Sequence, residues 1–198
     1  MRILEDRYEG ELQNFQLALR LVRYEARTRT IRLYTGLTDH RIRKLWQRYC
    51  GGASNLPRHR GKSPQQVGYF TRSARVRTEA ALLAAAYCAC GLVGEEPSTG
   101  KSSASPQRRH VGALLCDVYD YYTKLVPQPA ISFEHAQFLA QCLRSGEQLA
   151  VRHCTQCRGH IVVERFPLRP RWCDHCAPPK GRRGGARRTR ATHITRRP

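Results

Sequence analysis

A chain of 198 residues and 22.7 kDa favours one compact domain, or one domain with a small appendage, and can bury a working hydrophobic core. Thirty-five Lys and Arg against fifteen Asp and Glu leave a formal net charge of +20. That balance argues against a catalyst of cationic substrates and against a neutral structural protein, and it points to a polyanion such as nucleic acid or an anionic membrane face.

Thirty of the cations are Arg. Arg pairs bidentately with phosphates and guanine edges, although a GC-rich genome gives the same bias. The charge is uneven: residues 1–50 carry +5, 51–110 carry +6, 111–153 carry −1 and 154–198 carry +10. The near-neutral stretch, with Tyr119, Tyr121, Tyr122, Phe133, Phe138 and Leu139, is the place for core or for contacts with a protein partner. The opening MRILEDRYEGEL holds four acids and no apolar run, so no signal peptide is expected. The longest uncharged stretch, Ala80 to Gly94, has fifteen residues, and a spanning helix needs roughly 20. A soluble, cytoplasmic protein with no membrane partner is expected. Nine cysteines in that setting point to metal or buried thiols rather than disulfides.

In chain order, Leu12, Phe15, Leu19 and Val22 fall on one stripe of a first helix, and Glu5, Asp6, Glu9 and Glu11 suit its N-terminal dipole. A second helix over about Ala26 to Thr35 stops at Gly36, and Thr38 or Asp39 caps a third that runs to about Tyr49. Residues 28–47, TRTIRLYTGLTDHRIRKLWQ, resemble a helix-turn-helix. Gly36 sits where the turn needs a positive φ, Ile42 and Leu45 face the preceding helix, and Arg41, Lys44 and Arg48 form a basic opposite face with His40 and Gln47. Arg32 departs from the small residue usual four positions before that glycine. An ordinary amphipathic hairpin with a solvated basic face fits the same pattern.

Gly51 to Pro64 reads as a loop. Ser63-Pro64 then looks like an N-cap followed by proline at N1, opening a helix or helix pair to about Cys90. Gly94 to Pro106 reads as a polar linker, followed by helices over about 108–125 and 132–149. Lys62 and Lys101 each follow a glycine and precede a serine, as at the end of a P-loop. The first glycine such a loop needs is replaced by Leu56 and Glu95, so both are set aside.

Beyond residue 150 the texture changes. Cys154-Thr155-Gln156-Cys157 and Cys173-Asp174-His175-Cys176 form C-x2-C-x15-C-x2-C, a spacing suited to one four-thiolate zinc ion per chain. Each tight knuckle aims two sulfurs at one point, and an intervening hairpin, with Ile161 to Phe166 as a strand and Pro167 and Pro170 around its turn, brings the knuckles together. Four sulfurs fill a tetrahedron, so the ion is expected to be structural, with an iron–sulfur cluster as the alternative. His153 and His175 are not needed as ligands. Cys50, Cys88, Cys90, Cys116 and Cys142 read as inert thiols in or near helices. Arg158, Arg165, Arg169 and Arg171 offset the site's local negative charge or face DNA. From Lys180 onward eight cations, including Arg182 and Arg183, and no acids predict a disordered phosphate clamp.

Taken together, the sequence predicts a mainly α protein. A helical body with a helix-turn-helix-like hairpin spans 1–150, a small zinc-ribbon-like four-cysteine module 151–179, and a flexible basic tail 180–198.

The order of these parts, and above all CTQCRGHIVVERFPLRPRWCDHCAPPKGRRGGARR, resembles the FlhC family of bacterial flagellar transcription activators over roughly residues 10–185. Arg158 stands where that family often has glycine. The resemblance implies zinc held by Cys154, Cys157, Cys173 and Cys176, and assembly with an FlhD-like subunit, typically four FlhD with two FlhC. It also implies binding to promoter DNA upstream of flagellar genes and recruitment of RNA polymerase. A DNA-binding activator subunit is therefore expected, with a zinc-ribbon RNA-binding protein as the alternative. No activated nucleophile, paired carboxylates or open metal position points to an enzyme.

Overall fold

The computed structural model describes residues 2–50, 62–94, 105–166 and 172–177. Its described part is mainly helical, with α1 (Arg2–Arg23), α2 (Thr28–Thr35), α3 (Asp39–Cys50), a 3-10 turn (Val67–Thr71), α4 (Ala74–Ala89), α5 (Ser105–Leu125) and α6 (Phe133–Ser145). A two-stranded antiparallel sheet follows, β1 (Leu149–His153) with β2 (His160–Glu164). Among the described residues no helix is long and apolar enough to cross a membrane.

Helix α5 packs on α1, α2, α4 and α6. Gly112 lets it approach closely: a Cβ there would lie 2.8 Å from Tyr34 Cβ and 3.0 Å from Leu17 Cδ2. Leu17, Ala18, Leu21 and Val22 of α1 enter the core with Ile31, Ile42, Leu83, Tyr122 and Leu139. Of the aromatic residues in the near-neutral stretch, Tyr119, Tyr122 and Phe133 are buried and Phe138 packs against the core, while Tyr121 is exposed. Glu79 is the buried polar hub. Its carboxylate accepts from Tyr122 Oη, from the Ala130 backbone N at 2.8 Å and from Arg75 Nε at 2.9 Å. Burial opposes ionisation there, but these donors outweigh it and hold the carboxyl below its ordinary value.

The α2–α3 connection follows the expected turn. Gly36 closes α2 with φ 68, and its N–H donates to Arg32 O. Thr38 Oγ1 accepts from Arg41 N at 3.4 Å at the start of α3. Ile42 and Leu45 are buried, while Arg41, Lys44 and Arg48 are exposed. Arg32 does not obstruct the turn, because its side chain swings outward to Asp39 Oδ1 at 3.4 Å.

Four expectations need correction. The α1 stripe is rotated: Leu17, Ala18, Leu21 and Val22 are the buried set, and Leu12 is 56% exposed. Ser63-Pro64 opens no helix. The chain is irregular to Gln66, and Ser73 is the cap of α4, accepting from Val76 N at 3.3 Å. Helix α6 ends at Ser145 instead of running to 149, because Gly146 takes a left-handed conformation with φ 62 and its N–H caps on Cys142 O. The residues released by that stop become β1, so the partner of β2 precedes the first cysteine pair rather than lying between the pairs. Pro167 and Pro170, expected around the hairpin turn, lie outside the described residues, as do most of the 94–106 linker and the tail.

Candidate metal centre

The β1–β2 hairpin makes the first knuckle. Strand pairing ends at His153 opposite His160, with ring centroids 4.8 Å apart, so the six residues 154–159 are the hairpin turn. Within it Cys154 N donates to Gly159 O at 2.8 Å and Arg158 N to Cys154 O at 3.0 Å. Closing the turn puts Arg158 at φ 62, the left-handed region that favours glycine. The second knuckle is a matching tight turn, with Cys176 N and Ala177 N both donating to Cys173 O.

The four thiol sulfurs of Cys154, Cys157, Cys173 and Cys176 lie within 4.8 Å of one another. None is in a disulfide. Cys157 Sγ and Cys173 Sγ are 3.8 Å apart. A tetrahedral thiolate site with metal–sulfur bonds of about 2.3 Å has sulfur–sulfur edges of about 3.8 Å. The donor set therefore fits one metal ion.

Backbone dipoles prepare the site for anions. The Cys157 N–H and then the Cys173 N–H, the latter 3.4 Å from Cys154 Sγ, pull the Cys154 thiol down to about 6. Cys176 moves the other way, to about 12, because its thiol is hydrogen-bonded to the sulfurs of Cys173 and Cys157 and would add charge beside them. A cation bound among the sulfurs removes that conflict, since it favours the thiolate form of all four. Two cysteines of the helical body differ. Burial lifts Cys116 to about 12 and Cys142 to about 11, as suits inert core thiols.

The centre is joined to the helical body. One face of β2 packs on α4. Arg77 of α4 grips Asp174, between the second pair of cysteines: Nε lies 2.8 Å from Oδ2 and 3.1 Å from Oδ1, and Nη2 also reaches Oδ1. Its Nη1 donates to Thr71 O at 2.9 Å. This guanidinium therefore bridges the 3-10 turn and the second knuckle. A lone arginine 97 residues from its partner carries no local motif, so the sequence offers no signal for it.

The other expected contact residues are dispersed. Arg158 is exposed at the knuckle turn. Arg165 is engaged instead as a cap: Nη1 donates to Gly146 O at 2.8 Å, and its guanidinium lies over the Phe166 ring. Arg41, Lys44 and Arg48 sit apart on α3, with Arg41 4.0 Å from Glu11. Arg169, Arg171, Lys180, Arg182 and Arg183 lie outside the described residues. The chain matches no protein-family model and no curated protein.

Proposed function

We propose that this chain is the DNA-binding subunit of a transcription activator of the FlhC kind, with one structural zinc ion held by Cys154, Cys157, Cys173 and Cys176. The observation that carries the reading is a four-sulfur cluster clamped to a helical body at the start of the segment holding half of a +20 net charge. All four ligands are thiolates and leave no position for an activated water, so the ion's role is to fix shape. Of the two basic surfaces we assign DNA to the metal module and the basic tail. Arg158 projects from the knuckle, and Arg169, Arg171, Lys180, Arg182 and Arg183 extend the charge along the chain. On this reading an FlhD-like partner completes the assembly, and the bound complex recruits RNA polymerase at flagellar promoters.

One observation favours a second reading, an RNA-binding zinc-ribbon protein. Trp172, next to Cys173, is 44% exposed and Phe166, past the far end of β2, is 82% exposed; exposed aromatics are stacking platforms for unpaired bases. Trp46 is buried and supplies none.

Elemental analysis and a competition titration test the proposal together. The expected outcome is one zinc per chain and preference for duplex promoter DNA over a structured RNA of equal length. The affinity for DNA should fall steeply with salt, by about 0.9 log units per log unit of salt for each phosphate contacted. Preference for the RNA selects the second reading, and a salt-independent affinity removes the electrostatic mechanism.

A further inference from the structure

The first helix carries an apolar stripe that outruns its own core. Tyr8, Leu12 and Phe15 fall at i, i+4 and i+7, on one face of α1. A residue so spaced normally meets the body, yet Tyr8 is 71% exposed and Leu12 56% exposed. Phe15 is half-buried and meets Tyr49 of α3 edge-on at 6.2 Å. Between the two helices lies a groove of about 210 Å³ lined by Phe15, Leu37, Leu45 and Tyr49. Phe15 belongs to both stripe and groove, and Leu12 lies one turn from it on the same face of α1; contiguous apolar patches are what monomers seldom leave to water.

The wall of that groove is cationic. Arg41, Lys44 and Arg48 line it, one turn apart along α3. Arg41 has Glu11 at 4.0 Å, and the other two have no carboxylate within ion-pair distance among the described residues. This pairing of chemistries selects the occupant. Duplex DNA would satisfy the three cations but offers nothing to the stripe of Tyr8 and Leu12. A second copy of the chain would bring like charge against like charge, and the chain's own C-terminal tail is basic as well. An amphipathic helix with apolar side chains every third or fourth residue, flanked by carboxylates, satisfies both.

We propose that the α1–α3 groove is a docking surface for an acidic amphipathic helix of a protein partner. Leu12 and Phe15 anchor its apolar face, and Lys44 and Arg48 pair with its carboxylates. The inference stands on α1 and α3 alone and holds whether or not the metal module binds nucleic acid.

The test uses the full-length, metal-loaded protein and three labelled helix-forming peptides. One has Leu at i, i+3, i+4 and i+7 with Glu elsewhere. The second keeps the Leu pattern with Lys in place of Glu, and the third keeps Glu with Ala in place of Leu. Fluorescence anisotropy should show saturable binding of the Leu/Glu peptide alone. Leu12→Ser should weaken it by about tenfold. The double variant Lys44→Glu, Arg48→Glu should reverse the preference, binding the Leu/Lys peptide instead. All three positions are exposed, and an unchanged thermal melt confirms that each variant folds.

Several results overturn the proposal. Binding of the Ala/Glu peptide as tight as that of Leu/Glu reduces the effect to bulk charge, and no binding of Leu/Glu removes it. If the charge-reversed variant loses duplex DNA and leaves peptide binding unchanged, the face reads nucleic acid. If Leu12→Ser turns a dimer into a monomer in sedimentation, the surface joins two copies of the chain.

Discussion

The helical body and the cysteine module hold their shapes by different means. The body buries a continuous apolar core in which α5 touches four other helices. The module adds only a few residues to that core, Leu149 and Val162 of its hairpin among them. Among the described residues it has two five-residue strands, two tight turns and six residues around the second cysteine pair. Hydrophobic burial scales with apolar area, so the body carries its own stability, whereas the second knuckle rests on sulfur geometry and one arginine. The contrast teaches that the hairpin half of the module is held by packing on the body, while the second knuckle is held by the sulfur cluster and by Arg77.

Removing the metal should break that comparison most visibly. On the zinc reading, Cys173→Ser or exhaustive chelation should abolish hydrogen-exchange protection at the second knuckle, while the amides of α5 and α6 stay protected. Simultaneous loss of protection in both regions would mean that they fold as one unit.

Within the body, the largest expected loss comes from Glu79. Replacing it with Ala should leave Tyr122 Oη and the Ala130 N–H without their acceptor and cost about 3 kcal/mol in a denaturant melt. The effect is pH-dependent in a fixed direction. Because the folded-state carboxyl is held below its ordinary value, its stabilising contribution is full above an unfolded-state pKa of about 4.3. It is lost as pH falls through the lower folded-state value. The gap between wild type and Glu79→Gln should therefore narrow on acidification. A gap that widens would contradict an ionised hub.

Arg77→Ala sharpens the bridge itself. The ion pair is partly exposed, so global stability should change by less than about 1 kcal/mol. Metal affinity in a chelator competition should fall by about tenfold or more, as when an outer partner that orients a ligand loop is lost. Arg77→Lys should restore little, since one ammonium cannot grip both carboxylate oxygens and Thr71 O together. A large loss of stability with unchanged metal affinity would place Arg77 in the body alone.

The smallest effect is at the knuckle turn. Arg158→Gly should stabilise the module by about 1 kcal/mol by relieving its left-handed backbone, while Arg158→Ala should not. If this arginine meets a phosphate, the glycine variant should also reduce the salt slope of DNA binding by about 1.

Much of this was legible in the sequence because the signals are local. Gly36 ends α2 where its φ requires, Ile42 and Leu45 turn inward, and the doubled C-x2-C pattern brings four sulfurs together. What the sequence hid depends on distant or competing preferences. Ser73 displaces Ser63 as the cap because a 3-10 turn intervenes. The stop at Gly146 is reinforced by Arg165, nineteen residues away, and only that stop frees residues 149–153 to pair as a strand. The exposure of Leu12 cannot be read from periodicity, which marks an apolar face without saying what covers it. A glycine would suit the Arg158 position, because the turn's backbone there is left-handed.

The two sulfur-bearing turns also differ in when they can exist. The first is a hairpin closed by its own neighbours, whereas among the described residues the second is tied to the rest through Cys154 Sγ, Cys157 Sγ and the Arg77–Asp174 contact. On a ribosome the leading pair would thus be assembled and waiting while the trailing pair is still being synthesised. If the site holds a metal, maturation would then wait on capture of that later segment, tying its shape to metal supply.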